Sequence, residues 1–471
     1  MTLDTPQTLE AVLDQIDADK DAALERLFAL LRIPSISTDP AYNDACDEAA
    51  ALLVADLQSL GAVAEARQTP GRAIVIGHID GPDGADVPHF LFYGHYDVQP
   101  VDPLDLWHRD PFDPMILDTD EGPVIAGRGT SDDKGQLMTF VEACRAWKTV
   151  HGTLPCKITF LFEGEEESGS PSIIPFLERY KDELSVPDIA LICDTGLFDF
   201  DTPAICASLR GLVGEEVIIT GPDRDLHSGA YGGPAINPNR VLARVIASLH
   251  DDNGRVTIPH FYDGVQEVRP EIMEQWNALG FDAEATLGAV GLSVPAGEQD
   301  RSVLEMIWSR PTCEVNGMTG GYTGDGFKTV LPSQARAKIS FRLVGTQDPH
   351  AIRENFRAMV RAAIPADCSV EFLEHGAGPA SVMDTTRPEF EAARKAVIPE
   401  WPKPAAFVGG GGSIPIAGYF QTILGLQSIL LGFGRDNDNL HSPNEKYDVR
   451  SFTKGARSWA RVLAALSDPK P

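Results

Sequence analysis

Three short apolar runs in this 471-residue chain each end in side chains that can bind a metal ion. Residues 89–93 lead into Gly94-His95-Tyr96-Asp97, residues 158–162 into Glu163-Gly164-Glu165-Glu166-Glu167, and residues 189–193 into Asp194. Residues two apart in an extended chain face the same way, which pairs His95 with Asp97. In open α/β sheets ligands bind beyond the carboxyl ends of the strands, so these groups are expected to converge on one crevice. Asp132-Asp133, after Gly127-Arg128-Gly129, and His441, in Leu440-His441-Ser442-Pro443-Asn444-Glu445, are further candidates.

An isolated acidic triplet is usually a solvated face, and a lone histidine is usually structural. The shared position after three buried runs is what argues for a site. Two histidines and three or more carboxylates suit a pair of divalent ions; imidazole favours zinc, whereas carboxylates tolerate zinc and manganese alike. One carboxylate can bridge ions about 3.5–4 Å apart that clamp a water between them. A free carboxylate beside that water is then needed to take its proton. Neighbouring glutamates at a strand end can divide that labour. Other chemistries lack their parts: the chain has no GxxxxGK[ST] loop, no third glycine after Gly127-Arg128-Gly129, no GxSxG elbow and no cysteine in a nucleophile motif.

The positioning elements follow from periodicity. Apolar residues at helical spacing run from Leu9 to Leu31 and stop near Pro34, a second helix spans about 44–60, and the clearest later helix spans 136–150. Between them the runs 73–76, 89–93, 158–162 and 189–193 are continuously apolar, as parallel strands covered on both faces are. After Gly211 the pattern changes to alternating strands at 215–220 and 337–344, with helices near 239–250 and 352–363. From about Met383 the first pattern returns, with a helix near 389–397, an apolar run at 428–431 and a final helix ending near Leu466. The expected fold is therefore α/β, a mainly parallel sheet covered by helices in residues 1–211 and 381–471, with an inserted α+β domain at 212–380.

Composition narrows the partners. Lys+Arg total 39 against Asp+Glu 69, a net charge of −30, which disfavours nucleic acid and anionic membrane surfaces. The seven cysteines lack CxxC spacing and read as small apolar residues of a reducing compartment. The uncharged stretch 414–434 is long enough for a membrane span but is broken by Pro415, Gly418, Gly425 and Gly432, so a helix followed by a buried strand is expected. With a polar N-terminus that lacks a signal-peptide pattern, these readings place the protein in the cytoplasm.

The motifs Gly94-His95-Tyr96-Asp97-Val98-Gln99-Pro100, Gly127-Arg128-Gly129-Thr130-Ser131-Asp132-Asp133-Lys134-Gly135 and Phe162-Glu163-Gly164-Glu165-Glu166-Glu167-Ser168-Gly169-Ser170 resemble those of the carnosinase-type dipeptidases. These belong to a dinuclear zinc metallopeptidase family that includes aminoacylases and desuccinylases. Asp225-Leu226-His227-Ser228-Gly229, Lys328-Thr329-Val330-Leu331-Pro332, Gly411-Gly412-Ser413-Ile414-Pro415 and His441-Ser442-Pro443-Asn444-Glu445 continue the match over almost the whole chain. The resemblance implies that His95 and Asp194 bind one metal, Glu167 and His441 the other, and that Asp132 bridges both. It makes Glu166 the general base, with Asp97 orienting His95. It implies a cis peptide at Asp132–Asp133. It assigns His227 to the oxyanion from a lid and dimerisation domain, reaching the partner's site in a two-fold homodimer, and Arg342 to the substrate carboxylate, with His375 and Ser413 nearby. Where related dipeptidases carry Arg-Glu before the glycine pair, this chain has Gly409-Gly410, either a flexible turn or a widened pocket.

The leading expectation is hydrolysis of dipeptides or short peptides with a free C-terminal carboxylate, by a water bridging two divalent metals. An N-acyl-amino-acid amidohydrolase would use the same centre on a different substrate. A non-catalytic binding protein of this fold is disfavoured, since every expected ligand and the base are present.

Overall fold

The computed structural model describes residues 5–84, 87–412 and 414–467. Two compact units result: Met1–Ala207, Met383–Val408 and Tyr419–Pro471 form the first, Ser208–Val382 and Gly409–Gly418 the second.

The first unit is built on a sheet whose strands lie in the order Val63–Arg67, Ile74–Ile79, Lys157–Glu163, His89–His95, Ile189–Ile192, Ser428–Leu430 and Ala204–Leu209. Its centre is parallel: His89–His95 pairs in parallel with both Lys157–Glu163 and Ile189–Ile192, and Ser428–Leu430 with Ile189–Ile192. All four carboxyl ends therefore point the same way. The apolar run at 73–76 departs from expectation, because Ile74–Ile79 runs antiparallel to Lys157–Glu163. A parallel return needs a crossover of about a dozen residues or more. Only the short link from Ile79 to His89 joins this strand to the next, too little for a helix.

The helix Lys134–His151 is buried along most of its length, and Val449–Ser467 packs beside it. Phe140 of the first stacks on Phe92 of the central strand at 3.7 Å between ring centroids, and Trp459 of the second meets both rings edge-on. Rings in such arrangements contribute about 0.5–1.5 kcal/mol per pair beyond burial. This core fixes the helix whose first residue follows Asp132-Asp133 directly. The N-terminal periodicity forms two helices, Thr5–Ala18 and Lys20–Leu31, broken at Asp19. The 414–434 stretch forms Pro415–Tyr419, a π-turn at Phe420–Leu424 and the strand Ser428–Leu430; no helix among the described residues is long and apolar enough to cross a membrane. Met115–Thr119, Gly122–Ala126 and Lys446–Asp448 form a small sheet from segments whose apolar periodicity marks no strand.

In the second unit, Thr312–Gly320, Gln334–Leu343, Gly211–Thr220 and Ser369–Gly378 form an antiparallel sheet in that order. The helices Pro238–Ala247 and Pro349–Ala363 cover its apolar side through Val241, Val245, Phe356 and Val360, which pack on Val217, Ile219 and Phe341. Gly409 is the last residue but one of the strand Ala406–Gly410, and a Cβ there would overlap the Trp308 side chain. The glycine thus makes room for an indole and is not part of a loose turn.

Gly135 shows how tightly the Asp132 segment is set. A Cβ at this position would overlap the carbonyl oxygen of Thr130, a backbone atom that cannot swing aside. Gly135→Ala is expected to lower unfolding stability by about 1–3 kcal/mol or more, the usual range for overpacking. Gly288→Ala, where the added methyl meets open space, should be neutral or stabilising. Urea denaturation of both variants checks this; a Gly135→Ala midpoint equal to wild type would contradict it.

Candidate metal centre

His95 is the last residue of its strand and fully buried, and Asp97 follows with no exposed surface. The Asp97 carboxylate organises the region. Its Oδ2 accepts from the Ser37 hydroxyl at 2.6 Å and from the Glu167 N–H at 3.0 Å, while Oδ1 accepts from the Glu166 N–H at 3.2 Å. The same Oδ1 lies 3.4 Å from His95 Nδ1. One buried group thereby ties the histidine to the turn Glu166–Ser168 that follows Lys157–Glu163.

Asp132 sits between two imidazoles. Its Oδ1 is 3.0 Å from His95 Nε2, and its Oδ2 is 2.9 Å from His441 Nε2. Asp194, just past Ile189–Ile192, places Oδ2 4.0 Å from His95 Nε2; Glu167 places Oε2 3.3 Å from His441 Nε2. Two ligand sets result, His95 with Asp132 and Asp194, and Asp132 with Glu167 and His441; within each, the ligand atoms lie within 4.8 Å of one another. Asp132 belongs to both. Nδ1 of His95 faces the Asp97 carboxylate and carbonyl, so once Nε2 gives up its proton the ring keeps the other on Nδ1 and turns the Nε2 lone pair towards a carboxylate oxygen. Two lone pairs in that position call for a cation between them, so the donor set fits metal. The Asp132–Asp133 peptide is cis, as the resemblance implies.

The charges of the metal-free site bear this out. Burial opposes protonation of His95, but bonds to Asp132 and Asp97 hold its pKa well above the usual histidine range. Bonds to Asp132 and then Glu167 carry half-exposed His441 up to about 10. Asp194 is pushed far up by burial and then by Asp132 and Asp133. Glu166 is pushed up to about 7, again by burial first, with Glu167 adding to it and His95 opposing. It belongs to neither ligand set.

The other predicted residues lie in the second unit. His227 is exposed in the short strand Leu226–His227, where its Nδ1 accepts from the Gly229 N–H at 3.0 Å. Arg342 lies in Gln334–Leu343, opposite Leu212 on one side and Thr312 on the other. His375 falls where the register of Ser369–Gly378 shifts, with Nε2 3.7 Å from Glu216. Ser413 lies outside the described residues. Sequence reasoning missed Gln99, whose Nε2 donates to Glu167 at 2.7 Å, and Ser37. Gln99 stands two residues beyond Asp97 and four beyond His95, a periodicity that could have revealed it; Ser37 gives no such signal.

The model of peptidase family M20/M25/M40 matches residues 91–465. The chain is 31% identical to a Cys-Gly metallodipeptidase of Candida albicans, covering 97% of this chain and 96% of that protein. Among solved structures it resembles an M20 family metallo-carboxypeptidase of Sulfolobus solfataricus, at TM-score 0.80 and 31% identity over 94% of this chain and 99% of that one. It also resembles human carnosine dipeptidase 1, at TM-score 0.75 and 26% identity over 98% of this chain and 100% of that one.

The raised pKa of His441 sets a pH dependence. In the metal-free protein the group holds its proton more tightly folded than unfolded, so its stabilising effect is complete below about 6.5, the unperturbed histidine value. That effect is lost as pH rises towards the folded value of about 10. Metal competes with the same proton, so apparent metal affinity should rise across this window while metal-free stability falls. Thermal melts and metal titrations of chelator-treated protein at pH 6.5, 8 and 9.5 check both signs. His441→Ala should flatten the metal-free trend.

Proposed function

Because the chain belongs to peptidase family M20/M25/M40, we propose that it hydrolyses the amide bond of dipeptides or short peptides with a free C-terminal carboxylate at a two-metal centre. The observation that carries this reading is the membership of Asp132 in both ligand sets. His95 and Asp194 would hold one ion and Glu167 and His441 the other, with Asp132 between them. Imidazole in each set favours zinc, and manganese is the alternative that the carboxylates accept. The bound pair supplies the charge that polarises a peptide carbonyl and makes water acidic near neutral pH.

Glu166 is the general base. It stands beside ligand Glu167 without joining a ligand set, and its near-neutral carboxyl suits a group that takes a proton from water and returns it to the leaving amine. Asp97 holds the proton of His95 on Nδ1 and keeps Nε2 free for metal. In the second unit, His227 is the donor to the developing oxyanion, and Arg342 receives the substrate carboxylate; His375 and Ser413 are further candidates for substrate binding. The same unit serves as lid and dimerisation domain of a two-fold homodimer. Support comes from its sheet, where Leu373 and Met318 stand exposed on the outer strands. None of the seven cysteines forms a disulfide, which suits a reducing compartment, in keeping with a cytoplasmic enzyme. The relatives named for Cys-Gly and carnosine favour dipeptides over N-acyl amino acids.

Turnover of a panel of dipeptides, longer peptides and N-acyl amino acids by zinc- or manganese-loaded protein tests the reading. Free dipeptides should be cleaved fastest, and a preference for N-acyl amino acids would overturn it. In the same assay Glu166→Gln should bind two ions yet lose at least about a hundredfold in rate, the lower end for general-base catalysis.

Arg342 makes a separate prediction. A guanidinium grips a carboxylate through a planar fork that lysine lacks. Arg342→Lys should impair free dipeptides strongly and C-terminally amidated ones little, measured as kcat/KM on matched pairs. Equal losses on both would remove Arg342 from the substrate.

A further inference from the structure

Behind Asp132 lies a second carboxylate with a different task. Glu445 has no exposed surface, and both of its oxygens are occupied by donors from the Asp132 segment. Oε1 accepts from the N–H of Ser131 at 2.9 Å and of Asp132 at 3.1 Å. Oε2 accepts from the N–H of Gly129 at 2.9 Å and from Arg128 Nη1 at 2.7 Å. Arg128, only 2% exposed, also donates to the carbonyl of Pro100 at 3.1 Å and lies over the Trp107 ring. The pair thereby joins three segments: the one after His95 and Asp97, the one carrying Asp132, and the one carrying His441, which stands four residues before Glu445.

Three of these four donors are main-chain groups, and a carboxylate that accepts two or more backbone N–H bonds fixes the path of that backbone. The loop with His441 needs such an anchor. Asn439, His441 and Asn444 all adopt positive φ, at 57°, 58° and 64°, a region that non-glycine residues enter at a cost. His441 is also half exposed, so packing alone does not hold it against Asp132.

We infer that Glu445 is a positioning residue of the two-metal centre: by clamping the Asp132 backbone to the His441 loop, it sets how the shared aspartate meets its two imidazoles. It touches neither substrate nor metal. The inference rests on the two-metal reading above. Glu445→Gln offers an acceptor on one side only and turns an amide N–H₂ towards backbone donors on the other, leaving buried donors unpaired. Loss of such an outer partner typically weakens metal binding by about 10–100-fold.

The test is calorimetric titration of metal-free protein with Zn²⁺ alone, and separately Mn²⁺ alone, with circular dichroism to confirm folding. Wild type should take two ions; Glu445→Gln should bind at least one of them about 10–100-fold more weakly, and its kcat should fall with little change in KM. Because the change leaves Arg128 buried without its counter-charge, the double variant Arg128→Met/Glu445→Leu is measured beside it. The apolar pair leaves no lone buried charge, although the three N–H groups still lose their acceptor, and this variant should again show weakened metal binding. Wild-type affinity for both ions in either folded variant overturns the inference, as does failure of both variants to fold, which would make the pair a general brace. A wild-type protein that binds fewer than two ions would instead refute the two-metal reading.

Discussion

The centre depends on bringing carboxylates together away from water. Asp97, Asp132, Asp133, Asp194 and Glu166 surround His95 in a region where each loses hydration, and burial is the first cause of the upward shifts of Asp133, Asp194 and Glu166. Their neighbours are backbone N–H groups, a hydroxyl and two imidazoles. Like charges so placed are unfavourable unless protons or cations enter, and in the metal-free protein protons do, on His95, His441 and the raised acids. Divalent ions offer a larger and more localised charge at the same place. The electrostatic disadvantage of so many carboxylates without a cation would thus favour the binding of metal.

Holding that arrangement falls to rigid parts of the first unit. Three parallel strand ends deliver His95, the Glu166 turn and Asp194 in one direction, and the aromatic contacts among Phe92, Phe140 and Trp459 fix the helix after Asp132. Glycine is required where the chain passes closest: a Cβ on Gly94 would approach the Asp133 carboxylate at 2.9 Å, and one on Gly164 would overlap the Tyr96 hydroxyl. His95, Asp194 and Asp132, as candidate ligands, therefore adjoin elements whose positions are settled by packing before any ion arrives, whereas His441 sits on a loop; metal sites need such support when several ligands carry the same charge.

Much of this was legible in the sequence. Continuous apolar runs marked the parallel strands, and the residues at or just past their ends marked His95, Glu166, Glu167 and Asp194 as candidates, because a strand's end and its buried face are local properties. Contacts that join distant segments were not legible. The antiparallel pairing of Ile74–Ile79 follows from a short link and a partner more than 70 residues away. The small sheet that includes Lys446–Asp448 pairs segments over 300 residues apart, from strands too short for a period to show. Ser37 meets Asp97 across 60 residues, and Arg128 meets Glu445 across 317. Glu445 was visible within its motif, yet nothing in the linear pattern separates a candidate ligand such as His441 from a residue proposed to position it.

Glu166 and Glu167 show why adjacency does not make two residues equivalent. Their N–H groups bind the two oxygens of one Asp97 carboxylate, which fixes the turn between them. From that turn Glu167 reaches Gln99 and His441, and its side chain is only 3% exposed. Glu166 gains no such partner and keeps a carboxyl raised to about 7. The proposed ligand is thus the glutamate whose charge is already answered, and the proposed base is the one whose charge is not. Metal nearby would favour the ionised form and bring Glu166 below its metal-free value, so that it is ready to accept a proton at neutral pH. A single buried aspartate, by orienting one turn, separates the two roles.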